Sequence, residues 1–416
     1  MTSARWYGSL CIVAAMVSVG CSNGDTGGDT TDSGASAVDG GSSGGASSGG
    51  GSSSGGADGG GQAADGSTSD GGAAPQDWLK GWQVLGEDAL PVGNLTSVWS
   101  NGKSGTDREW LLVGGSLAGK KEAVIWELRG DKWTKHALEG VGLLWWVHGD
   151  IDGRRIAVGD GGTIVRWTSG DKTLKADPVP GLAKDKSQLF GTWFAPKGET
   201  FWVVGGNTSG QAKSGLLWEV PFAAKDGAEV ETKATKIDAA GKDGLLMKVW
   251  GTGEAGKERL FAVGEEGRIW SNGGGKWAEE TKVKIDRLIG VTGLSADNVV
   301  AVGGLGTGGV ARRDAKGWTK AAGCTKCFIN GNLAAVILTP GGAAVVGGSH
   351  GYLAVQQGDT KDKDLPTVDP PLSELDLHGA WRDEHTAVVV GGNLSNPAVA
   401  AGVVLYRGAA LPLLPK

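Results

Sequence analysis

The chain is poor in the side chains that most enzyme sites are built from. Among 416 residues there are 5 histidines, 4 cysteines and 3 tyrosines. Only Tyr352 and Tyr406 lie outside the amino-terminal region. Basic excess is missing as well. Setting aside Arg5 and the seven aspartates between Asp25 and Asp70, the 40 basic and 46 acidic residues fall to 39 of each, so residues 76–416 are neutral. A neutral head offers no electrostatic footprint for nucleic acid, and none is expected as a partner. The apolar stretch Leu10–Val19 falls well short of the roughly 20 apolar residues a spanning helix requires.

That short stretch, preceded by Arg5, fits the apolar core of a secretory signal. It ends at Ser18-Val19-Gly20-Cys21. Between Ser22 and Pro75 the chain is almost wholly Gly, Ser, Ala, Asp and Thr, and Val38 is its only apolar side chain larger than alanine. Such a tract cannot build a core. It is expected to be a disordered tether with a root-mean-square reach of about 40 Å.

What is abundant is glycine, 77 residues, and tryptophan, 18 residues. Valine followed by glycine closes an apolar run seven times, at Gly114, Gly159, Gly205, Gly264, Gly303, Gly347 and Gly391, at separations of 45, 46, 59, 39, 44 and 44 residues. Spacings of this size belong to four-stranded propeller blades. The fourth repeat shows the four runs most plainly: Leu246–Gly251, Arg259–Gly264, Gly267–Trp270 and Lys276–Glu279, without helical periodicity between them. The expectation is therefore an all-β, seven-bladed β-propeller over 76–416, preceded by a signal peptide (1–20) and a tether (21–75).

Closure can also be read. Lys80–Leu85 has a fourth-strand pattern but precedes the first inner strand, whereas Leu375–Trp381, Thr386–Gly392 and Gly402–Arg407 supply three strands and no fourth. A composite last blade, completed by the amino-terminal strand, removes the exposed edge of an open ring. The marker glycines are expected to supply positive φ at the turn into the third strand. The recurring tryptophans are expected to pack between blades rather than form one binding site.

The segments Ala157-Val158-Gly159-Asp160-Gly161-Gly162-Thr163-Ile164 and Ala262-Val263-Gly264-Glu265-Glu266-Gly267-Arg268-Ile269 resemble the A-V-G-x-x-G-x-I repeat of bacterial neuraminidase-repeat and photosystem-assembly-factor propellers. The residues before Cys21 resemble a bacterial lipobox, which implies cleavage before Cys21 and its acylation. The sialidase residues that gave the repeat its name find no match here. The Asp-box-like Ser271–Trp277 has Gly273 where aspartate belongs.

Together these features lead us to expect a monomeric, non-enzymatic head, lipid-anchored at the bacterial cell envelope, at the outer membrane, that binds a protein or polysaccharide. No cofactor is expected. The alternatives are an enzyme acting on extracellular polysaccharide and an assembly factor for an envelope complex. Cys324 and Cys327 form the only C-x-x-C, for which a disulfide is the default in an exported protein. Candidate binding-face residues, from the turns between second and third strands, are Lys120, Asp160, Asn207, Glu265, His350 and Asn393, with calcium at Asp160 or Glu265 left open.

Overall fold

The computed structural model describes residues 77–415 apart from 87–89, 91, 117–120, 179–186, 208–213, 223–243, 325–331, 358–364, 370 and 395–399. The expected signal peptide, Cys21 and the tether fall outside the described residues, as do Lys120 and Cys327.

Seven antiparallel sheets make up the ring. The first strand, β1 (Trp82–Val84), precedes blade one, which comprises β2 (Asn94–Ser100), β3 (Glu109–Gly115), β4 (Glu122–Arg129) and β5 (Lys132–Glu139). Blade two holds β6 (Leu144–Gly149), β7 (Arg154–Gly159), β8 (Thr163–Thr168) and β9 (Ala176–Pro178). Blade three holds β10 (Ser187–Phe194), β11 (Thr200–Asn207) and β12 (Ser214–Pro221). Blade four holds β13 (Leu246–Thr252), β14 (Arg259–Gly264), β15 (Arg268–Ser271) and β16 (Ala278–Lys282). Blade five follows with β17 (Leu288–Ser295), β18 (Asn298–Gly303), β19 (Gly308–Asp314) and β20 (Gly317–Cys324). Blade six holds β21 (Leu333–Leu338), β22 (Ala344–Gly348) and β23 (Leu353–Gln356). Blade seven holds β24 (Asp376–Arg382), β25 (Thr386–Gly392) and β26 (Gly402–Gly408).

Blades three and six thus show three strands among the described residues, where four were expected. In blade six, Val355 N–H donates to Pro366 O at 2.9 Å and Val368 N–H to Leu353 O at 2.8 Å, so 365–368 runs along the outer edge of β23.

The ring closes twice. β1 pairs antiparallel with β26 through Trp82↔Arg407, Gln83↔Tyr406 and Val84↔Leu405, which makes the last blade composite, as read from the sequence. The carboxyl-terminal tail adds a second clasp on blade one. Trp133 Nε1 donates to Pro412 O at 2.8 Å, and Leu411 and Leu414 are buried in the cluster that includes Trp110 and Trp133. Between neighbouring blades the alternate side chains of facing sheets form the core. Ile156 and Val158 of blade two, for example, meet Phe201, Val203 and Trp218 of blade three.

Every inner strand carries a β-bulge at the same place. The register shifts lie between Leu95 and Ser97, Leu144 and Trp146, Leu189 and Gly191, Leu246 and Lys248, Leu288 and Gly290, Leu333 and Ala335, and Leu377 and Gly379. The residue before each bulge is leucine in all seven blades. A bulge re-aims the strand and tightens its twist, which suits strands gathered around an axis.

The bulge also corrects the expected role of the marker glycines. None of the seven has positive φ, and Gly159 is fully extended at φ −169°. They are needed because the backbone comes too close. A Cβ on Gly114, Gly159, Gly205, Gly264, Gly303 or Gly391 would overlap the carbonyl oxygen of Asn94, Leu143, Gln188, Leu245, Arg287 or Asp376 respectively, each the residue just before the inner-strand leucine. In blade six the part is played by Gly348, which faces the Asn332 carbonyl, while Gly347 sits one position earlier against Leu377 Cβ.

Candidate functional site

The candidate residues on the second-to-third strand turns are placed in the structure as follows. The Asp160 carboxylate accepts from Leu143 N–H at 3.1 Å and from Trp145 Nε1 at 2.7 Å. Burial raises its pKa above the usual carboxylate value, against the opposing pull of those two donors. Glu265 Oε1 is paired with Arg287 Nη2 at 2.7 Å, and both residues are buried. His350 is exposed, at φ 54°, and its backbone N–H donates to Asp376 Oδ1 at 3.1 Å. Asn207 is half-buried at the end of β11, opposite Ser214, and Asn393 donates its N–H to Ala401 O at 3.0 Å. These residues do not converge: Asp160 and Glu265 are each occupied by their own neighbours. Among the described residues no group of three or more His, Cys, Asp or Glu is placed to hold a metal.

Convergence occurs instead at the ring axis, in two tiers. The upper tier is made by the seven bulge residues, Thr96, Trp145, Phe190, Met247, Ile289, Ala334 and His378, all buried. Trp145 reaches Phe190 at 5.8 Å between ring centroids and His378 at 5.7 Å, and with Leu143, Leu245, Met247 and Leu394 it forms one apolar cluster. The six large apolar side chains of this cluster contribute about 1.5–3 kcal/mol each on burial, so this tier is a stable plug.

Two basic groups lie in or beside it. Lys248 is buried, its Nζ donating to Phe190 O at 2.7 Å and lying 3.7 Å from the Trp146 ring centroid. Burial holds its pKa well below that of an ordinary lysine. His378 Nδ1 lies 2.7 Å from Thr96 O, and burial, followed by the charge of Lys248, depresses its pKa to about 3.

The lower tier is a tryptophan-lined cavity. Its walls include Trp146, His148, Thr192, Trp193, Trp250, Thr292 and Trp381, with Val249, Val291, Val336 and Ala380 between them. The cavity measures about 20 Å³, room for little more than one water-sized group. Trp146, Trp250 and Trp381 are only half-buried, and the walls are drawn mainly from the later halves of inner strands. The cavity therefore faces the side that carries the hairpins between first and second strands.

His148 of blade two touches Trp381 of blade seven at 5.8 Å, as well as Trp99 and Trp193, each at 6.3 Å. Its pKa is pushed down to about 3, chiefly by burial and then by Arg155, so it is neutral at physiological pH. Arg155 is held in place by Glu109 at 2.5 Å and lies over the Trp99 ring. Two polar atoms of the cavity-lining residues, His148 Nδ1 and Thr192 Oγ1, are buried without a hydrogen-bond partner.

The tryptophan expectation holds, and one set has a second role. Trp126, Trp167 and Trp218 of the third strands pack between blades. The inner-strand Trp146, Trp193, Trp250 and Trp381 also pack between neighbouring blades, and in addition they line one cavity. Sequence reasoning missed this site, although a signal existed: every inner strand carries a leucine at or near its start, and aligning the seven strands on it brings Trp99, His148, Trp193, Trp250 and Trp381 to one shared position.

Comparison with known proteins supports the fold. No family model matches the sequence, and no curated protein matches it. Among solved structures, the crystal structure of the RRP9 WD40 repeats superposes with a TM-score of 0.55 at 11% identity, covering 79% of this chain and 98% of that one. YCF48 bound to D1 peptide gives 0.52 at 14% identity, with 80% and 97% covered. YCF48 from Cyanidioschyzon merolae gives 0.52 at 15% identity, with 79% and 99% covered. The chain is a seven-bladed β-propeller.

Proposed function

We propose that this protein is a lipid-anchored binding module of the bacterial cell envelope, whose propeller head engages a partner at the tryptophan-lined mouth of its axis without turnover. The observation that carries the reading is the contrast between the two ends of the axis. One end is plugged by packed bulge residues; the other presents half-buried tryptophans around a small cavity. Concave, mostly apolar sites with a few polar groups are what binding pockets look like.

The surrounding face agrees. Of the three large apolar side chains exposed among the described residues, Ile151 and Leu294 sit at or beside hairpins between first and second strands. Both lie on the face toward which the cavity opens. A propeller of the same fold has been solved with a peptide bound. The anchoring part of the proposal rests on the sequence before Cys21 and on the composition of the tether.

The test pairs cell fractionation of the full chain and Cys21→Ala with affinity capture of envelope proteins by the full chain and by Trp250→Ala/Trp381→Ala. Membrane retention lost in Cys21→Ala, and a discrete partner lost in the double variant, would support the proposal. Equal retention, or capture that ignores the mouth, would contradict it.

A further inference from the structure

We infer that Ile151, on the hairpin between β6 and β7, is the anchor with which the head grips a protein partner, seated in an apolar pocket of that partner and held ready by Arg154 and Arg155. The inference rests on the binding role proposed above and names the residue through which it works.

Local structure gives no reason for an isoleucine here. Tight turns favour Gly, Pro, Asn, Asp and Ser. The seven connections between first and second strands are 101–108, 150–153, 195–199, 253–258, 296–297, 339–343 and 383–385, and Ile151 is the only Val, Leu, Ile, Met, Phe, Tyr or Trp in any of them. It is 60% exposed, so the core gains little from it.

The turn that carries it is fixed from three sides. Asp150 Oδ1 accepts from Asp152 N–H at 3.0 Å and from Arg154 N–H at 2.9 Å, while Arg154 Nε donates to Asp150 Oδ2 at 2.6 Å. Toward blade three, Arg154 Nη1 donates to Gly198 O, and the guanidinium lies 4.6 Å from the Phe194 ring centroid. Toward blade one, Arg155 donates from Nη1 to Asp150 O at 2.5 Å and from Nε to Glu109 Oε1 at 2.8 Å. An exposed side chain on a turn held in this way has little freedom left to lose on binding, as an anchor requires.

One of these arginines also joins the turn to the mouth. Arg155 lies 4.4 Å from the Trp99 ring centroid, and Trp99 meets the mouth residue Trp381 at 6.2 Å. Charge favours a protein pocket over a lipid surface. Asp152 is exposed beside Ile151, and Arg154 and Arg155 are both paired with carboxylates, so anionic headgroups find no attraction at this turn.

The experiment places a photoreactive residue at Leu294, on blade five, in the full chain in cells, and measures the protein adduct in backgrounds that change the anchor. Ile151→Leu should keep the adduct, Ile151→Ala should lower it by about fivefold or more, and Ile151→Asp should abolish it. The pair Glu109→Gln/Arg155→Met leaves no unpaired buried ion. In it, hydrogen exchange at the Asp152 and Arg154 amides should quicken and the adduct should fall below the melting temperature. Should that pair not fold, exchange in the wild type decides, with both amides protected by about tenfold or more relative to an unstructured peptide. An adduct indifferent to Ile151→Asp, or a phospholipid adduct in place of a protein, would overturn the anchor. Unprotected amides, or faster exchange with an unchanged adduct, would overturn the positioning role of Arg155. An adduct lost in Trp250→Ala/Trp381→Ala but kept in Ile151→Asp would show that the binding role stands and only this inference has failed, whereas no protein adduct in the wild-type background would remove both.

Discussion

The carbonyl oxygen of Leu245 occupies the space that a side chain at position 264 would need. The contact arises because the bulge after Leu246 presses the start of β13 against the end of β14, and it recurs in every blade. The same bulge places one residue per blade at the axis and closes one end of the ring. A single backbone device thus links the glycine repeat in the sequence to the shape of the binding face.

The one-residue offset in blade six gives a sharp test of this account. Gly348→Ala sets a Cβ into the Asn332 carbonyl and should cost about 3 kcal/mol or more, with poor folding in cells. Gly347→Ala meets Leu377 Cβ and Ala335 Cβ at 3.1 and 3.2 Å, tight but yielding, and should cost about 1 kcal/mol. Urea denaturation of the two variants measures the difference, and the reverse order would refute the bulge explanation.

Both clasps of the ring can be removed. Deleting 76–88 takes away β1, exposes the edge of β26 and strips Trp82 and Leu85 from the core. Deleting 409–416 uncovers Trp133 and loses Leu411 and Leu414. Each large apolar side chain contributes about 1.5–3 kcal/mol, so either truncation should lower or abolish the cooperative melt, whereas deleting 22–74 should not. Calorimetry on the three truncations decides, and equal stability throughout would contradict closure.

Stability should fall in acid earlier than carboxylates alone would cause. His148 and His378 titrate at about 3 in the folded protein, against an ordinary 6.5, so below 6.5 the unfolded chain takes up protons that the folded one refuses. Each histidine then removes about 1.4 kcal/mol per pH unit, an effect absent above 6.5 and saturating near 3. Urea unfolding between about pH 5 and 6.5, a window above most carboxylate titration, should show this slope, and His378→Gln should reduce it. A flat profile there would show that these rings are not held neutral.

Lys248 makes the opposite kind of test, a gain. Its folded pKa lies well below 10.5, so the buried amine costs stability at neutral pH, and the cost disappears only as pH rises to the unfolded value. Lys248→Met keeps the volume, forfeits one hydrogen bond to Phe190 O and should stabilise the head by about 1–2 kcal/mol at pH 7, less near pH 10. Loss of stability in this variant would mean that the hydrogen bond and the contact with Trp146 outweigh desolvation.

Much of the ring was legible because it repeats. Seven Val-Gly markers fixed the number of blades, and the stray fourth-strand pattern around Trp82 identified the composite blade. The bulges were not legible, since a register shift depends on partners some 15 to 20 residues away, as in Leu95↔Gly114, and leaves no mark in the local alternation. That is why the sequence alone points these glycines to positive φ and places the blade-six marker one residue early. The axial cavity escaped for another reason. It draws two or three residues from each of six blades, and Trp250 or Trp381 gains meaning only when the ring brings those positions together.

The central claim, that the partner docks on the tryptophan-lined mouth, is most directly tested by site-specific photo-cross-linking in cells that express the full chain. A photoreactive residue would be placed in turn at Ile151 and Leu294 beside the mouth, and at His350 and Asn393 on second-to-third strand turns at the opposite end of the blades. The account predicts a discrete protein adduct from 151 and 294, lost in the Trp250→Ala/Trp381→Ala background, and none from 350 or 393. Adducts from 350 and 393 alone would place the partner on the other face and contradict it.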